Sequence, residues 1–160
     1  MRLLIAAVGK LKPGPERELY AHYLARAEAL GRKLALSPLT SIELSEAKAS
    51  SPSVRCAAEA DALLARVPTS HKIICLDRIG CQLTSETFAQ ALARHRDSGA
   101  AGIVFLIGGA DGLGAAALDK ADGILSFGPM TLPHSLARIV LAEQLYRAET
   151  ILSGHPYHRA

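Results

Sequence analysis

Short runs of aliphatic and β-branched residues alternate along this chain with longer stretches of helical character. Runs such as Ile73-Ile74-Cys75-Leu76 and Ile103-Val104-Phe105-Leu106-Ile107 are apolar at every position, as strands covered on both faces must be. These runs predict strands at 3–8, 39–44, 72–76, 103–107 and 123–127, with helices at 15–30, 52–67, 85–97, 114–121 and 135–153. Strands and helices in alternation predict an α/β fold with three layers around a mostly parallel sheet. At 160 residues the chain can build one domain with a real core, and 1–160 is read as that single domain. The stretch EAKASSPSVR reads as an exposed loop, with Ser51 capping the helix that Pro52 opens.

The last predicted helix is framed by chemistry. Pro133 suits a first turn or the residue before a cap, Ser135 is the cap candidate, and Gly154 with Pro156 stops the helix. Leu141, Leu145, Ala148 and Leu152 form one stripe, while Leu136, Ile139, Val140 and Tyr146 spread around it. That apolar arc is wider than the roughly 100° of an ordinary surface helix. A second subunit and a central position in a monomer both satisfy it. His134 precedes the helix, and His155, Tyr157, His158 and Arg159 follow it.

Composition narrows the class. No apolar run approaches the roughly 18 residues of a membrane span. The N-terminal run is short, and KLKPGPERE follows it without a cleavage pattern, so it reads as a first strand. Cys56, Cys75 and Cys81 are odd in number and share no metal-ligand spacing, which fits reduced thiols in the cytoplasm. His155 and His158 have a His-x-x-His spacing, but no neighbouring ligand completes a zinc set, and no metal is expected. A net charge of +3 leans only mildly towards polyanions, and 4% aromatics argue against a stacking platform for single-stranded nucleic acid.

Gly108, Gly109, Gly112 and Gly114 follow an apolar run. Gly112-Leu-Gly114-Ala-Ala-Ala117 formally fits a dinucleotide fingerprint, yet it lies in the last third of the chain. Asp119 and Asp122 follow too closely to serve as the ribose-binding acid, so a nicotinamide site is not expected. Each glycine taken singly can also be a device for a tight turn.

Five segments together carry a resemblance: MRLLIAAVGKLK, LDRIGCQLTSETFAQAL, FLIGGADGLG, SFGPMTLPH and the closing MTLPHSLARIVLAEQLYRAETILSGHPYHRA. In this order and length they resemble the RlmH family, small SPOUT-class methyltransferases that methylate a pseudouridine of large-subunit (23S) ribosomal RNA. The resemblance implies a C-terminal deep trefoil knot and a homodimer with the knot helix at its interface. It also implies S-adenosyl-L-methionine as cofactor and methyl transfer to N3 of the target on the assembled ribosome. It maps cofactor binding onto Leu76, Gly108, Phe127, Gly128, Pro129, Met130, Thr131 and Leu132.

The chemistry asks for removal of a weakly acidic imide proton and for in-line presentation of the nitrogen. The resemblance makes Tyr157, His158 and Arg159 the catalytic candidates and His134, Arg138 and His155 the substrate-binding ones. Lys10, Lys12 and Arg147 can extend a phosphate-contacting surface, although Arg147 is also placed to pair with Glu143. A non-catalytic ribosome- or RNA-binding module on the same fold is the alternative of a different class.

Overall fold

The computed structural model describes residues 1–158; Arg159 and Ala160 lie outside them. Five strands, β1 (Arg2–Val8), β2 (Leu39–Leu44), β3 (His71–Gln82), β4 (Gly102–Ile107) and β5 (Gly123–Ser126), form one sheet in the order β2-β1-β4-β3-β5. Every pairing among them is parallel. The helices are α1 (Pro15–Gly31), α2 (Pro52–Leu64), α3 (Ser85–Asp97), α4 (Ala115–Asp119) and α5 (His134–Ser153).

Alternation along the central strands divides the core into two. Leu3, Ile5 and Ala7 of β1, with Ile103, Phe105 and Ile107 of β4, pack against α1, α3 and α5. Leu4, Ala6 and Val8, with Val104 and Leu106, pack against α2 and α4. The expected three layers are therefore present, and the apolar runs are strands covered on both faces.

Most predicted elements lie within a few residues of their observed ends, and the departures have physical causes. β3 continues past Leu76 to Gln82, with its register to β5 shifting between Leu76 and Cys81. The polar and glycine residues there hid the extension. Gly80 lies so close to β5 that an added Cβ would stand 2.6 Å from the Ile124 carbonyl. Pro133, not Ser135, is the cap residue of α5, and its carbonyl accepts from the Ala137 N–H. The Ser135 hydroxyl instead donates to Glu16 of α1 at 3.2 Å. Ser51 does occupy the cap position of α2, but its hydroxyl bonds Ser53 and caps nothing.

α5 lies between α1 and α3 and buries Leu141, Leu145 and Ala148 completely, which accounts for most of its wide apolar arc. It also buries a carboxyl. Glu149 has no exposed surface, and neither carboxyl oxygen has a hydrogen-bond partner. It faces Gly31 of α1, where an added Cβ would stand 2.7 Å from Oε1. Burial, then the nearby Glu28 carboxylate, pushes the Glu149 carboxyl up to about 9.

An acid raised in the folded state holds a proton that the unfolded chain has released. Stability is therefore fully present below the ordinary carboxyl range and falls as pH rises towards 9. Glu149→Gln is expected to be the more stable protein at pH 8, by on the order of 2 kcal/mol, with the advantage absent at pH 4. Urea denaturation of both proteins at the two pH values measures this. An unchanged difference between them would contradict it.

Candidate active site

The C-terminal ends of three neighbouring parallel strands open into one cavity of about 690 Å³. Leu76 with Asp77 and Arg78 comes from β3, Ile107 to Leu113 from β4 and its following loop, and Leu125 to Gly128 from β5. Met130, Thr131, Leu132 and Pro133 close one side, and His134 and Ala137 bring in the first turn of α5. Ligands on open α/β sheets collect beyond the carboxyl ends of the strands for this reason: backbone groups there are free of the ladder. The cavity gathers Leu76, Gly108, Phe127, Gly128, Met130, Thr131 and Leu132 of the expected cofactor set, while Pro129 lies outside its lining.

The glycine loop is shaped by close approach. A Cβ on Gly108 would stand 2.4 Å from the carbonyl of Gly112, so only glycine lets the loop fold onto itself there. α2 clamps the loop from behind. Arg55 Nε donates to Asp111 Oδ2 at 2.8 Å, and its Nη1 donates to the Ala49 carbonyl at 2.7 Å. The Cys56 thiol donates to the Asp111 carbonyl at 3.3 Å, and burial with the neighbouring acids pushes that thiol's pKa up. Arg55 and Asp111 were invisible as a pair in the sequence because 56 positions separate them.

The charges on the cavity wall select among ligands. Asp77 and Asp111 face it against one guanidinium, Arg78. With Asp111 already paired to Arg55, the wall carries no surplus of positive charge to hold a pyrophosphate. A ligand carrying a sulfonium and an amino-acid end, with no phosphate, fits both the charge and a cavity within the usual 300–1,000 Å³ range.

Arg138, expected as a substrate-binding residue, has no exposed surface in the single chain. Its Nη1 donates to Glu43 Oε1 at 2.7 Å, and its Nη2 donates to the Val8 and Gly9 carbonyls at 3.1 and 2.8 Å. The same Nη2 reaches His134 Nδ1 at 3.3 Å. Burial pulls the guanidinium's pKa down and Glu43 opposes that. Arg138 thus spends Nη1 and Nη2 on the ends of β1 and β2 and on His134, while its buried Nε has no partner among the described residues.

Residues 155–158 fold back along α5. Gly154 takes the left-handed conformation that ends the helix, and His155 to His158 turn towards its middle. The Tyr157 hydroxyl donates to Glu143 Oε1 at 3.1 Å, and its ring lies 4.7 Å from that of Tyr146. Burial, then Tyr23 and the Glu143 carboxylate, hold the phenol's pKa above its ordinary range. Arg147 pairs with the same carboxylate at 2.6 Å and lies 5.0 Å over the Tyr157 ring. His158 Nε2 is 3.3 Å from Glu86 Oε1, and its Nδ1 is buried without a partner. The exposed His155 uses its Nδ1 to accept from the Tyr157 N–H. None of His155, Tyr157 and His158 lines the cavity. Glu143 lies about 9 Å of helix rise beyond Ala137, the last α5 residue that does. Arg159 lies outside the described residues.

A family model described as "Predicted SPOUT methyltransferase" matches residues 1–158. The chain belongs to the SPOUT methyltransferase family. Two proteins named ribosomal RNA large subunit methyltransferase H are similar over their full length. The one from Xanthobacter autotrophicus is 50% identical over 160 residues, covering 100% of both chains. The one from Rhodopseudomonas palustris is 51% identical with the same coverage. A solved structure, a probable methyltransferase from Bordetella pertussis Tohama I, is 16% identical at a TM-score of 0.48, covering 92% of this chain and 95% of that one.

The Arg55 contacts hold the loop beyond β4 in shape without a ligand. Arg55→Ala is expected to weaken S-adenosylmethionine binding about tenfold while leaving stability little changed, as loss of an exposed pair does. Titration calorimetry and urea denaturation read the two effects. An unchanged dissociation constant would show that the clamp does not shape the loop.

Proposed function

We propose that this SPOUT protein transfers the methyl group of S-adenosyl-L-methionine to N3 of a pseudouridine in 23S rRNA of the assembled ribosome, in the cytoplasm. The observation that carries the reading is the cavity: backbone-rich, glycine-shaped, poor in positive charge, and gathering nearly every residue on which the family resemblance places the cofactor. The names of the full-length relatives supply the class of substrate. Bound there, the cofactor supplies an electrophilic methyl on a sulfonium. The chain's own residues do the rest. Gly108 and Gly112 admit the ligand's close approach, Leu76, Phe127 and Leu132 cover its apolar surface, and Met130 and Thr131 close the rim. The deep trefoil knot belongs to the same reading. Support for it comes from the extension of β3 lying over the start of the cofactor loop, where the Ser126 hydroxyl meets the Arg78 carbonyl at 3.3 Å.

The active unit in this reading is a homodimer. In one chain the tail rests on the flank of α5, away from the cavity that it should serve. Along that helix Leu136 is 40% exposed, and Leu83, Phe127 and Met130 also expose apolar surface beside the cavity or the smaller hollow next to it. A twofold contact is self-complementary. Made through this flank, it covers the apolar side chains and sets one subunit's Tyr157, His158 and Arg159 beside the other's cavity. Glu143 and Glu86 then hold Tyr157 and His158 in place for the target base, with His155 shaping the turn.

The test is methyl transfer from labelled S-adenosylmethionine to intact ribosomes, separated subunits and free rRNA, with the product mapped by nuclease digestion and mass spectrometry. N3-methylpseudouridine on intact ribosomes alone is the expected result, and His158→Ala should lower its rate about 100-fold or more. No label on any substrate, with cofactor intact, favours a binding module without turnover. Label on free rRNA alone would remove the assembled ribosome from the account.

A further inference from the structure

Between the cavity and the buried Arg138 stands His134, a side chain whose chemistry is set from behind. A guanidinium has five N–H donors and no acceptor. The 3.3 Å contact from Arg138 Nη2 to His134 Nδ1 shares one of the two Nη2 hydrogens already directed at the Val8 and Gly9 carbonyls, and it can run in one direction, with Nδ1 accepting. With Nδ1 accepting, the ring proton sits on Nε2. No protein group among the described residues bonds Nε2, and His134 is one of the residues that line the cavity.

The ring also has little freedom to turn. Gly9, at φ +89°, lets the β1 end pass so close that an added Cβ would stand 2.5 Å from the imidazole Cε1. The guanidinium behind it is pinned by Glu43 and by the Val8 and Gly9 carbonyls, and the Leu11 N–H donates to the same Glu43 oxygen at 3.1 Å. The charged groups around the ring are Arg138 of α5, Glu43 of β2, and Asp77, Arg78 and Asp111 on the cavity wall. Glu16 of α1 is one residue away, bonded to Ser135.

We infer that Arg138 is a positioning residue that fixes His134 as the Nε2–H tautomer, and that His134 serves as an oriented hydrogen-bond donor to an anionic oxygen bound in the cavity. It is a donor and not the base. This rests on the methyl-transfer reading only for what the oxygen belongs to. Two sources share the chemistry: the cofactor's carboxylate, and the target imide's carbonyl oxygen, which gains negative charge as the N3 proton leaves. A donor set in advance at such an oxygen lowers the barrier because nothing must reorient during reaction.

The tautomer is measured on ¹⁵N-labelled protein without ligand at pH 7, from long-range nitrogen–proton correlations of the His134 ring. A proton on Nε2 and a bare Nδ1 are expected, with Arg138→Lys and Glu43→Gln giving mixed tautomers. A proton on Nδ1 in the unaltered protein overturns the inference. This readout needs no turnover, so it stands or falls separately from the methyl-transfer reading.

The donor role is tested with His134→Gln, whose amide replaces the Nε2–H, against His134→Asn and His134→Ala, which leave that place empty. Cofactor affinity is read by calorimetry and the rate by single turnover on ribosomes at saturating cofactor. His134→Ala is expected to lose about 100-fold in one of the two, with most of it restored by Gln and not by Asn. Loss in cofactor affinity assigns the oxygen to the cofactor, and loss in rate alone assigns it to the target. No loss in either, or equal rescue by Asn and Gln, overturns the donor role.

Discussion

Everything at the functional end of this molecule hangs on a guanidinium that has been taken out of water. Removing a buried charge's partner costs about 3–5 kcal/mol, so Arg138 and its acceptors must be assembled together or not at all. Its acceptors are the last residues of β1, the Glu43 carboxylate of β2, and a histidine one turn earlier on its own helix. The start of α5 is thereby tied to the β2–β1 side of the sheet. The loop that precedes it, Phe127 to Pro133, is anchored at one end by the opposite edge strand β5 and at the other by this fixed point near β1. Anchored ends limit the shapes the loop can take without a ligand, which is what binding through backbone groups needs.

The sheet supplies the second half of the same constraint. With both faces covered, the strands give up their ladder groups only at their ends, and β3, β4 and β5 end side by side. Glycine lets the backbone of the β4 loop fold inward at Gly108, and the Arg55–Asp111 pair holds it there. The proposed cofactor site is thus built within one chain. The described part of the tail lies apart from it. Tyr157 is bound to Glu143 and stacked among Tyr146, Arg26 and Arg147, a set of contacts that presents it sideways to the cavity of its own chain.

The layers and the alternation of strands and helices were legible in the sequence because periodicity reports burial directly, as in the all-apolar 103–107 run. The cofactor loops were legible through resemblance, which composition and spacing would not have replaced. What could not be read was pairing over distance. Arg138 looked like a surface cation because nothing in its neighbourhood names Glu43, 95 residues away. Glu149 carries no mark of burial in the sequence, and only α1 packing against it makes it a buried acid. Ser135 looked like a cap because the partner that takes its hydroxyl, Glu16, is on another helix.

The central claim is that cofactor cavity and catalytic tail come from different subunits, and mixing tests it most directly. One parent carries Gly108→Ala, whose Cβ would strike the Gly112 backbone and force the β4 loop out of the shape the cofactor needs; the other is truncated before Tyr157. Each alone should be inactive on ribosomes. Mixed dimers hold one cavity and one tail that meet at a single site, and the account predicts that activity returns on mixing. Mixtures as inactive as either parent, with heterodimers verified by mass, would contradict it and put both parts of the site in one chain.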